Sequence, residues 1–137
     1  MNKAKRHARN FINHLFGTYQ VPRIPVYIHW RYNTVINNDD EHVFGLFCYD
    51  DGDNPPCIHV AGRQIGNTGV MSVIAHEFVH YLQHLHGRDM DNVQQVEADA
   101  DYFGAGLFGK FLINKKDKHM RIDGTLKAWE ERTEVAK

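Results

Sequence analysis

Val70-Met71-Ser72-Val73-Ile74-Ala75-His76-Glu77-Phe78-Val79-His80-Tyr81-Leu82-Gln83-His84-Leu85-His86-Gly87 is the segment around which the rest of the chain has to be arranged. Val73, Ile74, Phe78, Val79 and Leu82 recur at helical spacing and Gly87 is a good stop, so the pattern predicts a helix from about Val70 to His86. Thr68 is its expected cap. Within it, His76-Glu77-Phe78-Val79-His80 is an H-E-x-x-H sequence. Four residues advance an α-helix by about 400°, which stacks the two imidazoles on one face, where both can grip one Zn²⁺. Glu77 is turned by about 100° from His76. It is therefore expected beside such an ion, as a general base toward a water, and not on the ion itself. With 10 histidines in 137 residues, an accidental H-E-x-x-H turns up in roughly a few per cent of such chains. Its position inside a periodic helix lowers that share.

A catalytic zinc site takes three protein ligands and keeps one position open. After the short connection Gly87–Met90 comes Glu97-Ala98-Asp99-Ala100-Asp101, in a second expected helix. Asp91 with Gln94 reads as its capping box, and it continues to around Phe108, with Gly104, Gly106 and Gly109 weakening its last turns. Glu97 and Asp101 are four apart and share a face. Glu97 is the expected third metal ligand. Asp101, one turn on, is placed to accept the N–H of a ligand histidine and fix its tautomer. Ala100 between them is small enough to let the two helices approach closely as a helical hairpin.

Outward from this pair, Ala4, Ala8, Phe11, Ile12, Leu15 and Phe16 predict an N-terminal helix that Gly17 can stop. Val21–Pro25 is a breaker. Val26–Tyr32, Val43–Tyr49 and Cys57–Ala61 predict three strands, with Asn33–Glu41 and the stretch 50–56 as turns. Lys115–Arg121 is a basic connector, and Asp123 caps a last helix through Trp129. Helix, three strands, then helices describe an α+β domain with an antiparallel or mixed sheet, and 137 residues fit one domain.

Composition narrows the partners. A formal net charge of −1 supplies no global field toward nucleic acid or a membrane. There is no run of about 18 apolar residues to span a bilayer, and the basic N-terminal segment lacks the apolar core of a secretion signal. A soluble cytoplasmic protein is the expectation. Cys48 and Cys57 are too few for a disulfide scaffold or for a zinc site built on cysteine. They flank a turn, which puts them on neighbouring strands of a hairpin as reduced, half-buried thiols.

H-E-x-x-H followed by E-x-x-A-D-x-F resembles the gluzincin metallopeptidases, most of all the ImmA/IrrE-type and phage-encoded minimal zincins. The matching residues are His76, Glu77, His80, Glu97, Ala100, Asp101 and Phe103, and the likeness extends loosely over Gly45–Leu107. The resemblance implies a minimal zincin-like domain, a Zn²⁺ cofactor, a protein or peptide substrate and metal-assisted hydrolysis, in the host cytoplasm for a phage-encoded protein. It also implies that an extended peptide lies along a sheet edge beside the zinc helix. Here that edge is either Cys57–Ala61, with Ile58, His59 and Val60 as contacts, or Val43–Tyr49. A donor for the oxyanion is needed besides the metal, with Tyr81, His84, Tyr102 and His59 as candidates. The alternative is a catalytically silent zinc-binding interaction module of phage or mobile-element origin. Glu77 argues against it, because a purely structural site needs no carboxylate there.

Overall fold

The structure is a computed structural model that describes residues 3–49, 52, 54–64 and 66–114. The expected connector Lys115–Arg121 and the last helix through Trp129 lie outside these residues. Among the described residues the chain is α+β: helices α1 (Lys3–Tyr19), α2 (Gly66–Leu85) and α3 (Val93–Asn114), and strands β1 (Val26–His29), β2 (Val35–Ile36), β3 (His42–Val43), β4 (Gly45–Cys48) and β5 (Cys57–Ala61). No described helix is long and apolar enough to cross a membrane.

The main sheet is mixed, in the order β1-β5-β4. β5 runs parallel to β1 and antiparallel to β4. Period-two alternation divides β5 between two environments. Ile58 and Val60 are fully buried in the core with α1 and α2, while Cys57 and His59 face the other way and are only half-buried. Because β5 is the central strand, Ile58, His59 and Val60 are not a peptide-binding edge: their backbone groups already serve two neighbours. The edge beside α2 is β4.

Strand ends differ from expectation for local reasons. β1 stops at His29 because the chain turns there, with Tyr32 N and Gly62 N both donating to the His29 carbonyl at 3.1 and 2.9 Å. The run expected as one strand over Val43–Tyr49 is broken at Phe44. Val43 belongs to a two-residue ladder with Val35, and β4 begins at Gly45. The turn-like stretch Asn33–Glu41 thus contains the short strand β2.

Helix boundaries follow their caps. α1 buries Ala8, Phe11, Ile12, Leu15 and Phe16. It passes through Gly17 and ends where Gln20 takes a left-handed φ of 52° and donates to Phe16 O. α2 begins at Gly66, so Thr68 lies in its first turn and not at its cap. Its C-terminus is a Schellman motif: Gly87 has φ 71°, Arg88 N donates to Gln83 O and Gly87 N to His84 O. The cap of α3 is one residue later than expected, with Asn92 Oδ1 accepting from Gln95 N at 3.4 Å. α3 then continues to Asn114, and Phe108, Phe111 and Leu112 pack into the core around Phe11. Gly104 does not weaken this helix; it is a contact point. A Cβ there would stand 3.2 Å from the His76 backbone nitrogen, so α3 lies almost directly on α2 beside its first histidine.

Candidate metal centre

The close α2–α3 crossing determines what the histidines meet. Buried Ala75, Phe78 and Val79 anchor the core side of α2, and buried Val96, Ala100 and Gly104 press α3 against it. Glu97 and Asp101 are then carried to the opening between the helices. Glu97 Oε2 lies 2.9 Å from His76 Nε2, and Glu97 Oε1 lies 3.0 Å from His80 Nε2. The two Nε2 atoms are 3.1 Å apart. Asp101 Oδ1 lies 2.9 Å from His76 Nδ1, on the opposite side of that ring. Asp99, two residues from Glu97, faces elsewhere and pairs with Arg88 and Gln95.

Sequence reasoning missed Gln83. Its Oε1 is 2.8 Å from His80 Nδ1, and its Nε2 donates to the Val96 carbonyl at 3.2 Å. The side chain is buried and ties α2 to α3. The signal was present as a polar residue three positions after His80, on the same helix face, but nothing local distinguishes it from the solvated polar residues nearby.

Together these contacts assign the protons. A backbone carbonyl only accepts, so the Gln83 amide must turn its Nε2 to Val96 and its Oε1 to His80. His80 Nδ1 therefore carries the hydrogen. The Asp101 carboxylate asks the same of His76 Nδ1. With both Nδ1 atoms protonated, each neutral imidazole directs a bare Nε2 lone pair at the other and at the two oxygens of Glu97. Four acceptor atoms converge with no donor among them, an arrangement that a cation reconciles. His76, Glu77 and His80 form a group able to hold a metal ion. Burial lowers the pKa of His80 despite the hydrogen bond it donates to Gln83 and the charge of Glu97, which favours the neutral imidazole a metal needs.

Glu77 is 5% exposed, and its carboxyl is pushed up to about 8, by burial first and then by the charges of Glu97 and Asp101. A cation beside it would reverse that balance and favour the carboxylate. Gly45 of β4 passes directly over this side chain: a Cβ there would come within 2.6 Å of Val73 Cγ1 and 3.0 Å of Glu77 Cγ. The strand can lie this close to the helix only because Gly45 has no side chain.

The group opens into a cleft of about 910 Å³, lined by His76, Glu77, His80, Glu97 and Asp101 on one side and by Gly45, Leu46 and Phe47 of β4 on the other. Tyr49 also lines it. Burial, and then the charges of Asp91 and Glu97, raise the pKa of Tyr49 and keep its phenol protonated as a donor. None of the four donor candidates named from sequence lines this cleft among the described residues. Tyr81 is buried in the core, and its hydroxyl donates to Pro22 O at 2.7 Å. His84 is exposed and rests against the rings of Tyr49 and Phe47. Tyr102 packs on Phe103, and His59 belongs to the outer face of the sheet. No protein-family model, curated protein or solved structure matches the chain.

Proposed function

We propose that this chain is a zinc-dependent peptide hydrolase of the minimal zincin kind, with His76, His80 and Glu97 as metal ligands and Glu77 as general base. The observation that carries this reading is the convergence of four acceptor atoms whose tautomers are held from behind by Asp101 and Gln83. Two imidazoles and a carboxylate with an open side toward a cleft suit Zn²⁺ in a catalytic setting, where a bound ion polarises a carbonyl and acidifies a water. Glu77 stands next to the ligands on a buried helix face, where its carboxylate can take a proton from an attacking water and pass it to the leaving amine. Tyr49, not the four candidates named from sequence, is the donor available to a developing oxyanion. The edge strand β4 runs along the cleft and offers backbone groups to an extended peptide.

The test combines metal analysis with cleavage of a peptide library. His80→Ala should lower zinc content by about one ion per chain. Glu77→Gln should keep that ion and lose about 10²–10⁴-fold in turnover. Wild-type protein that holds zinc and cleaves no peptide would be a zinc-binding interaction module instead. Full peptidase activity in Glu77→Gln would remove the assigned base.

A further inference from the structure

A second group able to hold a metal ion lies on the outer face of the sheet: Cys48, Cys57 and His59, with ligand atoms all within 4.8 Å of one another. Three independent features bring it together. Cys57 and His59 are two apart on β5 and so share a face. Cys48 is the register partner of Cys57 across the β4–β5 ladder. On the other flank, parallel pairing sets Tyr27 opposite His59 and carries His29 to the same face, two residues on.

We propose that Cys48, Cys57 and His59 form a second site for a thiophilic d¹⁰ ion of the Zn²⁺ type, which clips the β4–β5 hairpin at its loop end. The spacing suits such an ion. Ligands at about 2.3 Å (sulfur) and about 2.0–2.1 Å (nitrogen) on a tetrahedral centre lie about 3.5 Å apart, and Cys57 Sγ is 3.5 Å from His59 Nε2. The histidine is also oriented for it. His59 Nδ1 is 2.9 Å from His29 Nε2, so His29 can accept the Nδ1 hydrogen and leave Nε2 as the ligand atom. Tyr27 stacks on the His59 ring with centroids 5.1 Å apart, which restrains its rotation. Neither cysteine is in a disulfide. On binding, each thiol releases its proton to solvent and the thiolates become the soft ligands that select this class of ion. Two thiols are too few for a site built on cysteine alone; the histidine on the same strand face supplies the missing ligand. A clip at Cys48 also holds the next residue, Tyr49, at the mouth of the cleft.

Titrating the full, reduced chain with Co²⁺ tests this independently of the helical site, which contains no sulfur. A thiolate-to-cobalt charge-transfer band should appear and, in the His80→Ala background, saturate at about one ion per chain. It should be lost in Cys48→Ser and in Cys57→Ser, shift in His59→Ala and persist in His80→Ala. Alkylation of the wild-type thiols, which requires no variant to fold, should be suppressed by added Zn²⁺. Absence of the band from protein with titratable thiols would overturn the proposal. So would alkylation indifferent to Zn²⁺, or a Cys48–Cys57 disulfide that forms with Zn²⁺ present.

Discussion

Among the described residues, the two clusters of side chains able to hold a metal ion are built on different periodicities. In the helical cluster, His76 and His80 are brought together by one turn of one helix, and Glu97 arrives on the neighbouring arm of a hairpin with a short connection. In the sheet cluster, Cys57 and His59 share a face through the two-residue repeat, but Cys48 depends on strand register, and His29 comes from a parallel partner thirty positions away. A register slip of one residue would send Cys48 to the buried face. A helix therefore aligns two candidate ligands by local geometry, whereas a sheet brings candidates from separate strands together only after those strands have paired.

The sharpest way to break the helical half of this comparison is to exchange neighbours on α3. Glu97→Ala should reduce zinc affinity of the helical site by more than about 100-fold, since it removes a ligand and not an outer partner. Asp99→Ala, two residues on, should leave affinity nearly unchanged, because Asp99 is engaged by Arg88 and Gln95. Competition with a chromophoric chelator measures both, and equal losses would mean that the face assigned to α3 is wrong. The two residues behind the histidines should have intermediate effects. Asp101→Ala and Gln83→Leu each remove an acceptor from an imidazole Nδ1–H, which should weaken zinc about 10–100-fold without abolishing it. Gln83→Leu should also lower stability, because the buried side-chain hydrogen bond to the Val96 carbonyl is lost.

Stability measurements sharpen the comparison between the cleft and the remainder of the fold. Gly45→Ala should cost about 1–3 kcal/mol, because β4 has no room above Val73 and Glu77. Gly17→Ala, in a helix with nothing near the added methyl, should stabilise by up to about 1 kcal/mol. Denaturant midpoints at constant slope would separate the two signs.

The last expected signal is a pH dependence of the metal-free protein. Glu77 titrates near 4.5 in an ordinary environment and at about 8 here, so the folded state holds its proton more tightly than the unfolded state. The sign follows directly: the cost is absent below 4.5, grows as pH rises toward about 8, and is complete above that. Chelated protein should therefore lose thermal stability from about pH 5 to about pH 8, and Glu77→Gln should flatten that slope. A slope of equal size in Glu77→Gln would assign the effect to another group.

Much of the architecture was legible because it rests on local pattern. The apolar spacing of Phe11, Ile12, Leu15 and Phe16, the Gly87 stop and the α+β order needed no distant residue. Spacing of four also named His76, His80, Glu97 and Asp101, which the structure brings to one opening. The errors fall where distant segments decide. Tyr81 was a plausible donor until its hydroxyl met Pro22 O, and Gly104 looked like a weak point until α2 lay against it. Ile58, His59 and Val60 were a possible edge until β1 paired with β5 on the side away from β4. Periodicity along a chain determines which face of a helix or strand a residue occupies, because it depends only on rotation per residue. What that face meets depends on which strands pair, in what register, and how closely two helices pack. Those contacts between distant segments placed Gln83 behind His80, Tyr49 at the cleft and Cys48 beside Cys57, and only the tertiary structure decided them.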